Sequence, residues 1–311
     1  MENLQYPEID PQEFRALTIP GETQKIIIPP GVTHRQDGWD RLKQNRTAML
    51  GLYFIIFIIL LAVLVPVFSR YSYSEQFLDK QGQGPGKEFW FGTDSLGRDI
   101  FVRVFFGARI SLAVAFTAGF INLTIGVLYG GISGYLGGKA DHVLMRIVDM
   151  FYAVPLILYV ILLAVVLNDY GLKSMFIAIG LTYWVEMARV VRGQILSLKE
   201  QEFILAARIL GADTRRIILR HLLPNCAGTI IVTASLCIPK AIFAEAFLSF
   251  IGLGVSAPLA SWGVLVSDAV GTIRSYPQML FFPAAAICIT ILAFNFLSDG
   301  LRDAWDPRLR E

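Results

Sequence analysis

Residues 47–68 form a long run without a single charged side chain, and this run limits the possible folds most strongly. A helix needs about 20 mainly apolar residues to cross a bilayer, so the run predicts a membrane span. Only 17% of the chain is charged, against about 25% in soluble domains. Five further apolar stretches predict further spans, at residues 110–135, 150–167, 173–191, 228–255 and 281–297. The chain is therefore predicted to be an all-α membrane protein with six transmembrane helices. In the stretch 110–135, Gly119, Gly126, Gly130, Gly131 and Gly134 are candidates for close helix packing.

These stretches divide the chain into segments. We predict an N-terminal tail (1–46), a first transmembrane helix (47–68), a polar outer segment (69–109), a five-helix core (110–298) and a C-terminal tail (299–311). Five prolines between positions 7 and 30 predict that the tail is extended. Its last part, residues 39–46, is predicted to be an interfacial helix anchored by Trp39.

Basic residues predict the orientation of the spans, because loops rich in Lys and Arg stay in the cytoplasm. With six crossings, four basic regions fall on one side: Arg35 to Arg46, Lys139 with Arg146, the loop 192–225, and Arg302 with Arg308 and Arg310. The outer segment argues against this orientation, since it carries six basic residues, nearly balanced by five acids. We expect both termini to be cytoplasmic.

The basic loop 192–225 contains a helix signal. Residues 202–210 are good helix formers, and Gly211 is placed as a C-terminal cap. Asp213 or Thr214 then caps a second helix, which Pro224 is predicted to end. Two small residues would let a partner approach closely, Ala206 and Ala207, and three apolar residues would anchor it, Phe203, Ile204 and Leu210. The alternative is an amphipathic helix that lies on the lipid headgroups.

Ionisable residues inside spans are costly and usually face a cavity or a partner. Glu245 and Lys240 lie in the fifth predicted span, where they are candidates for the translocation path. Alternatively, Glu245 packs against polar groups of another subunit or neutralises Lys240. Glu186 and Arg189, near the inner end of the fourth span, are interpreted as structural.

A tight polar cluster precedes the second span. Asp94, Arg98 and Asp99 stand beside Gly92 and Gly97. Because Arg can make bidentate contacts with carboxylates, a folded outer turn is favoured over a substrate site.

The sequence offers no signal for several other chemistries. The three histidines have no Cys or carboxylate at metal-ligand spacing, and the three cysteines fall in apolar segments, so neither a metal site nor a disulfide framework is predicted. The glycine-rich segment 82–88 fails as a phosphate loop, because Glu88 stands at the Ser/Thr position. A formal net charge of +2 gives no argument for nucleic acid binding.

Several motifs in register carry a family resemblance. The segment 205–211 (LAARILG), followed by Leu223-Pro224, resembles the EAA loop of binding-protein-dependent ABC transporter permeases. Residues 91–99 (FGTDSLGRD) resemble the signature of the C-type permease of oligopeptide and dipeptide importers. Further matches are residues 107–112, 220–225, 248–254, 261–263 and 300–308. Leu205 stands where the family has glutamate; Glu202, one helical turn earlier, is a candidate substitute.

The resemblance implies a function and partners. It implies a non-enzymatic permease in the bacterial inner membrane that forms half of a pathway with a second homologous permease. Two cytoplasmic ATPases, which carry ATP and Mg, would contact the EAA-like loop, and an external binding protein would deliver peptide. The implied contact residues are Glu202, Ala206, Ala207, Arg208, Gly211 and Pro224.

Alternatives remain open from the residues alone. Within the family, a nickel or glycopeptide importer would share these motifs. A stand-alone secondary transporter would need an ion-binding constellation in a broken helix, for which Pro239, Lys240 and Glu245 are the only candidates. A membrane-embedded enzyme would need clustered His, Asp or Glu at one depth.

Overall fold

The computed structural model describes residues 34–169 and 171–305. Over these residues it is helical without β-strands, and one isolated bridge joins Thr93 to Asp99. The predicted all-α class is thus confirmed. The predictions for residues 1–33 and for Arg308 and Arg310 lie outside the described residues.

The helices are numbered in chain order. They are α1 (His34–Gln44), α2 (Arg46–Phe68), α3 (Ile100–Ile121), α4 (Val127–Leu136), α5 (Gly138–Ala153), α6 (Leu156–Leu167), α7 (Leu172–Thr182), α8 (Trp184–Leu198), α9 (Glu202–Ile209), α10 (Thr214–Arg216), α11 (Leu223–Asn225), α12 (Ala227–Phe250), α13 (Trp262–Val270) and α14 (Gln278–Trp305). Two π-helical segments, Asn122–Gly126 and Ile217–Leu222, lie between α3 and α4 and between α10 and α11.

Among the described residues, five helical segments are long and apolar enough to cross a membrane: α2, α3 with α4, α7 with α8, α12 and α14. The pair α5 and α6 is bent by 83°, and it gives a sixth crossing if it is one broken span. The predicted third span, residues 150–167, is therefore not one continuous helix, because it runs from the end of α5 into α6 across this bend. Pro155 follows Val154, whose backbone is extended, because a residue before proline avoids the helical conformation.

Other predicted boundaries shift as well. The second span begins at Ile100, ahead of the predicted residue 110, because Asp99 caps the helix by accepting from the Phe101 amide. The segment predicted as a C-terminal tail is helical up to Trp305. The predicted interfacial helix is part of α1, which ends at Gln44, and Asn45 then caps α2.

Helices α4 and α8 pack closely through small residues. Gly126, Gly130 and Gly134 recur every four residues and share one face, and a Cβ on any of them would press into α8. At Gly134, for example, it would lie 2.9 Å from the Arg192 carbonyl oxygen. Such approach is typical of helices packed in membranes, and it confirms the predicted packing role of these glycines.

The molecule has two distinct ends. At one end, α1 and the first turn of α12 both meet Trp305, where Gly38 and Gly228 leave room for it. This "loop end" carries α9. At the other end, Gly82 of the outer segment packs against Tyr276, which precedes α14. We call this the "turn end", because it carries the turn at residues 92–99.

Candidate functional site

Helix α9 presents one face to the protein and one to its surroundings. Ile204 is fully buried, in a cluster with Ile195, Ile217 and Leu222. The prediction that Ile204 anchors a partner is therefore wrong: this side chain holds α9 onto the rest of the chain. Ile209 and Leu210 are each 86% exposed. Burying such apolar side chains is favourable, so this face is suited to being covered by another protein or by lipid.

The predicted capping residues of the loop are confirmed. Gly211 follows α9 with φ +82°, a conformation that glycine adopts without strain. The Ala212 amide donates to the Ala207 carbonyl at 3.0 Å, which closes the turn. Of the two candidates for the next N-cap, the structure has Asp213, whose carboxylate accepts from the Arg216 amide at 3.0 Å.

The remaining loop residues divide by exposure. Glu202 and Ala206 are exposed on α9, whereas Ala207 is buried. The Arg208 guanidinium lies over the Tyr135 ring of α4, 5.6 Å from its centroid. This cation–π contact ties the end of α9 to a membrane-crossing helix.

Pro224 does not end a helix, contrary to the prediction. It lies in the first turn of α11, directly after the π-helical segment Ile217–Leu222, where a missing amide hydrogen is tolerated. Cys226 interrupts the helix for one residue before α12 begins. From Thr214 onward, the loop is thus joined to the span α12 by almost continuous helix.

At the turn end, Asp94 organises a buried charged cluster. Its carboxylate accepts from the Leu96 and Arg98 amides at 2.8 and 2.9 Å, and from Arg98 Nε at 2.6 Å. Arg103 of α3 also donates to it. These contacts confirm the predicted folded turn, whereas Arg103 was not identified from the sequence.

A second carboxylate completes this cluster. Asp268 of α13 lies 3.6 Å from Arg103 and 3.9 Å from Arg98, so the turn, α3 and α13 are tied together. Burial raises the pKa of Asp268 above its usual range. Burial also raises the pKa of Asp99 to about 6, although backbone amides donate to its carboxylate.

Glu245 is enclosed by its own chain. It is 0% exposed, and its carboxylate accepts from the Ser111 hydroxyl of α3 and the Ser249 hydroxyl of α12, each at 2.7 Å. In this structure it therefore does not line a path. Lys240 contacts Glu186 at 2.8 Å, so the proposed neutralisation of Lys240 by Glu245 is wrong, and the two residues do not form an ion site. This pair agrees with the structural interpretation of Glu186.

Long-range partners could not be identified from the sequence. Ser249 is four residues from Glu245 and could have been found by helical spacing, but Ser111 is 134 positions away. Arg189 contacts Asp149 at 2.8 Å, and Arg192 makes a bidentate contact with Asp141, at 2.6 and 2.5 Å. These pairs join α8 to α5 and support the structural interpretation of Arg189.

Comparisons with known proteins agree with this architecture. Residues 126–311 match the family described as the binding-protein-dependent transport system inner membrane component. Residues 33–85 match the N-terminal transmembrane domain of oligopeptide transport permease C.

Curated relatives cover nearly the whole chain. The oligopeptide transport system permease protein OppC of Bacillus subtilis (strain 168) is 49% identical over 100% of both chains. The dipeptide transport system permease protein DppC of the same organism is 50% identical over 90% of this chain and 88% of its own. The OppC protein of Escherichia coli (strain K12) is 44% identical over 88% of this chain and 91% of its own.

A solved structure supports the fold. A chain of the MetNI methionine ABC transporter, in an inward-facing conformation, superposes with a TM-score of 0.55 at 20% identity. The match covers 66% of this chain and 96% of that one. The chain therefore belongs to the family of binding-protein-dependent transport system inner membrane components, and it is a multi-pass permease of the bacterial inner membrane.

Proposed function

We propose that this chain is a transmembrane subunit of an ATP-driven importer of oligopeptides or dipeptides. The observation that carries the proposal is 49% identity, over the whole of both chains, to an oligopeptide transport permease. A second homologous permease would form the other half of the pathway, and an external binding protein would deliver the peptide. ATP and Mg would bind two partner ATPases, with this chain contributing no catalytic group.

The proposed orientation places the loop end in the cytoplasm. Basic residues concentrate there, including Arg41, Lys43, Lys139, Arg215 and Arg302. Since Lys and Arg in short loops stay in the cytoplasm, this end would face the ATPases. The turn end would face the external binding protein.

Helix α9 is the proposed contact with an ATPase. Its exposed Glu202 and Ala206 would meet the partner, with Ile209 and Leu210 as apolar anchors. The other proposed coupling residues would fix the position and orientation of this helix. They are Ala207, Arg208, Gly211 and Pro224. Rigid-body movement of gripped helices is a known way of switching a membrane pathway.

Co-expression with candidate ATPases and a second permease tests this function. We expect both partners to co-purify with the chain, and peptide with its binding protein to stimulate ATP hydrolysis by the complex. A complex that assembles but responds to Ni²⁺ and not to peptide would refute the substrate class. Failure to recover any ATPase would refute the coupling role.

Cysteine labelling tests the orientation. Cys226 and Cys237 are buried and Cys288 is exposed, so Cys288→Ser gives a background with low reactivity. Ala206→Cys in that background should react with a membrane-impermeant maleimide only after the cells are opened. Labelling in intact cells would overturn the proposed sidedness.

Glu202→Ala tests whether this carboxylate takes the place of the family glutamate. We expect ATP hydrolysis to continue while peptide uptake falls, because the grip on α9 is weakened. The exposed neighbour Gln201→Ala is the matched control. An unchanged uptake rate in Glu202→Ala would refute this role.

A further inference from the structure

A cavity of about 520 Å³ opens where α2 leaves the apolar layer and the outer segment begins. Its wall is formed by apolar side chains of the last turns of α2, Leu61, Leu64, Val65 and Phe68, together with Phe101 of α3. These residues belong to spans, so the wall lies at the depth of lipid acyl chains.

The mouth of the cavity is polar and basic. Arg70 and Lys87 line it, and both are exposed. No carboxylate of the described residues lies within ion-pair distance of either side chain. Trp90 also lines the mouth and is 65% exposed, and tryptophan is typical of the boundary between the acyl layer and the headgroups.

The carboxylates beside the mouth already have partners within the chain. Glu88 accepts from Lys80 Nζ at 2.5 Å and from the Tyr71 hydroxyl at 3.1 Å. Asp99 is buried and accepts from the Phe101 amide at 2.8 Å. Neither cation at the mouth therefore forms a direct ion pair, although Glu88 also attracts Arg70 electrostatically, and the wall below them is apolar.

We propose that this cavity binds one anionic phospholipid, with an acyl chain along α2 and the headgroup phosphate between Arg70 and Lys87. Apolar contact alone selects no lipid, because every phospholipid of the bilayer has acyl chains. The selectivity comes from the two cations, each of which favours an anionic over a zwitterionic headgroup by about fivefold. The inference concerns the surroundings of α2 and is independent of the transported solute.

The test uses fluorescence quenching of Trp90 in the assembled transporter, reconstituted in nanodiscs. Discs contain phosphatidylcholine and phosphatidylglycerol at fixed proportions, with bromine on the acyl chains of one lipid or the other. The signal of a Trp90→Phe complex is subtracted, so that only Trp90 is followed. We expect brominated phosphatidylglycerol to quench Trp90 at a several-fold lower mole fraction than brominated phosphatidylcholine.

Charge variants show whether the cations cause this preference. Arg70→Gln with Lys87→Gln should remove it, and Lys87→Gln alone should reduce it. The matched control, Lys173→Gln with Arg274→Gln, removes two exposed cations outside the cavity and should leave the preference unchanged. Equal quenching by both lipids in the unmodified complex would reduce the site to ordinary lipid contact and overturn the proposal.

Two further results would also overturn it. Absence of Trp90 quenching by either lipid would mean that another subunit covers the cavity. An equal loss of preference in the control variant would mean that the selectivity comes from overall charge. None of these measurements requires transport, so a wrong substrate class in the proposed function would leave their outcome unchanged.

Discussion

The two ends of the molecule treat their polar and apolar groups in opposite ways. At the turn end, Asp94, Arg98 and Arg103 are buried and form ion pairs with one another within the chain. At the loop end, Ile209 and Leu210 are almost fully exposed. A buried charged cluster fixes one arrangement of its helices, whereas an exposed apolar face is stabilised only when something covers it. The turn end is therefore stabilised within the chain itself, whereas the loop end has the exposed apolar face of an interface that awaits a partner.

Breaking the charged cluster should have the largest effect on stability. Asp94→Ala leaves Arg98 and Arg103 buried without their shared carboxylate, at a cost of about 3–5 kcal/mol. We expect a strongly lowered midpoint of thermal unfolding in detergent, or no folded protein. Asp79→Ala, which removes an exposed carboxylate of the same outer segment, is the control. Equal midpoints for the two variants would show that the cluster does not hold the turn end together.

The network around Glu245 should have the next largest effect. Glu245→Ala removes the acceptor of two buried hydroxyls, and each unsatisfied group costs about 1–3 kcal/mol. Glu245→Gln keeps an oxygen acceptor and should be less destabilising. The comparison is made by thermal unfolding of both variants. Should the two lose equal stability, the negative charge itself would be what the site requires.

Asp99 makes the turn end sensitive to pH. Its folded pKa is raised to about 6 from 3.8 by burial, so the folded state binds its proton more tightly than the unfolded state does. The stability from this group is full below about pH 4 and is lost as the pH rises through 6, by at most about 1.4 kcal/mol per pH unit. Asp99→Asn keeps the cap of α3 and should flatten the dependence of the unfolding midpoint between pH 4 and 6. An unchanged slope would assign the dependence to other groups.

Features that depend on residues close together in the chain could mostly be predicted from the sequence. Three such features were found because each depends on neighbours along the chain. They are the span at residues 47–68, the close-packing glycines at positions 126, 130 and 134, and the caps at Gly211 and Asp213. The bend at Pro155 was missed because the apolar pattern continues through it.

The contacts that join different helices were beyond sequence reasoning. Glu245 was recognised as unusual, but its environment depends on Ser111, 134 positions away. The sequence did not distinguish Arg103 from the other basic residues of the outer segment. In the fold it contacts Asp94 and Asp268. Leu210 and Ile204 were both predicted to be exposed anchors on the loop. Leu210 is exposed as expected, whereas Ile204 packs in the core. An eight-residue helix with apolar residues on both sides does not show which side is buried.

The smallest effect on stability is expected at the loop end. A small effect there would give the clearest contrast with the turn end. Ile209→Ser with Leu210→Ser changes two exposed side chains, so the free energy of unfolding should change by no more than about 0.5 kcal/mol. Ile204→Ser, on the opposite face of the same helix, removes a fully buried side chain and should destabilise the isolated chain clearly. Co-purification of the ATPases is measured in parallel. If the loop end is half of an interface, the double variant keeps its stability and loses its partner. A double variant that loses stability, or that retains the ATPases fully, would show that this face serves the permease itself.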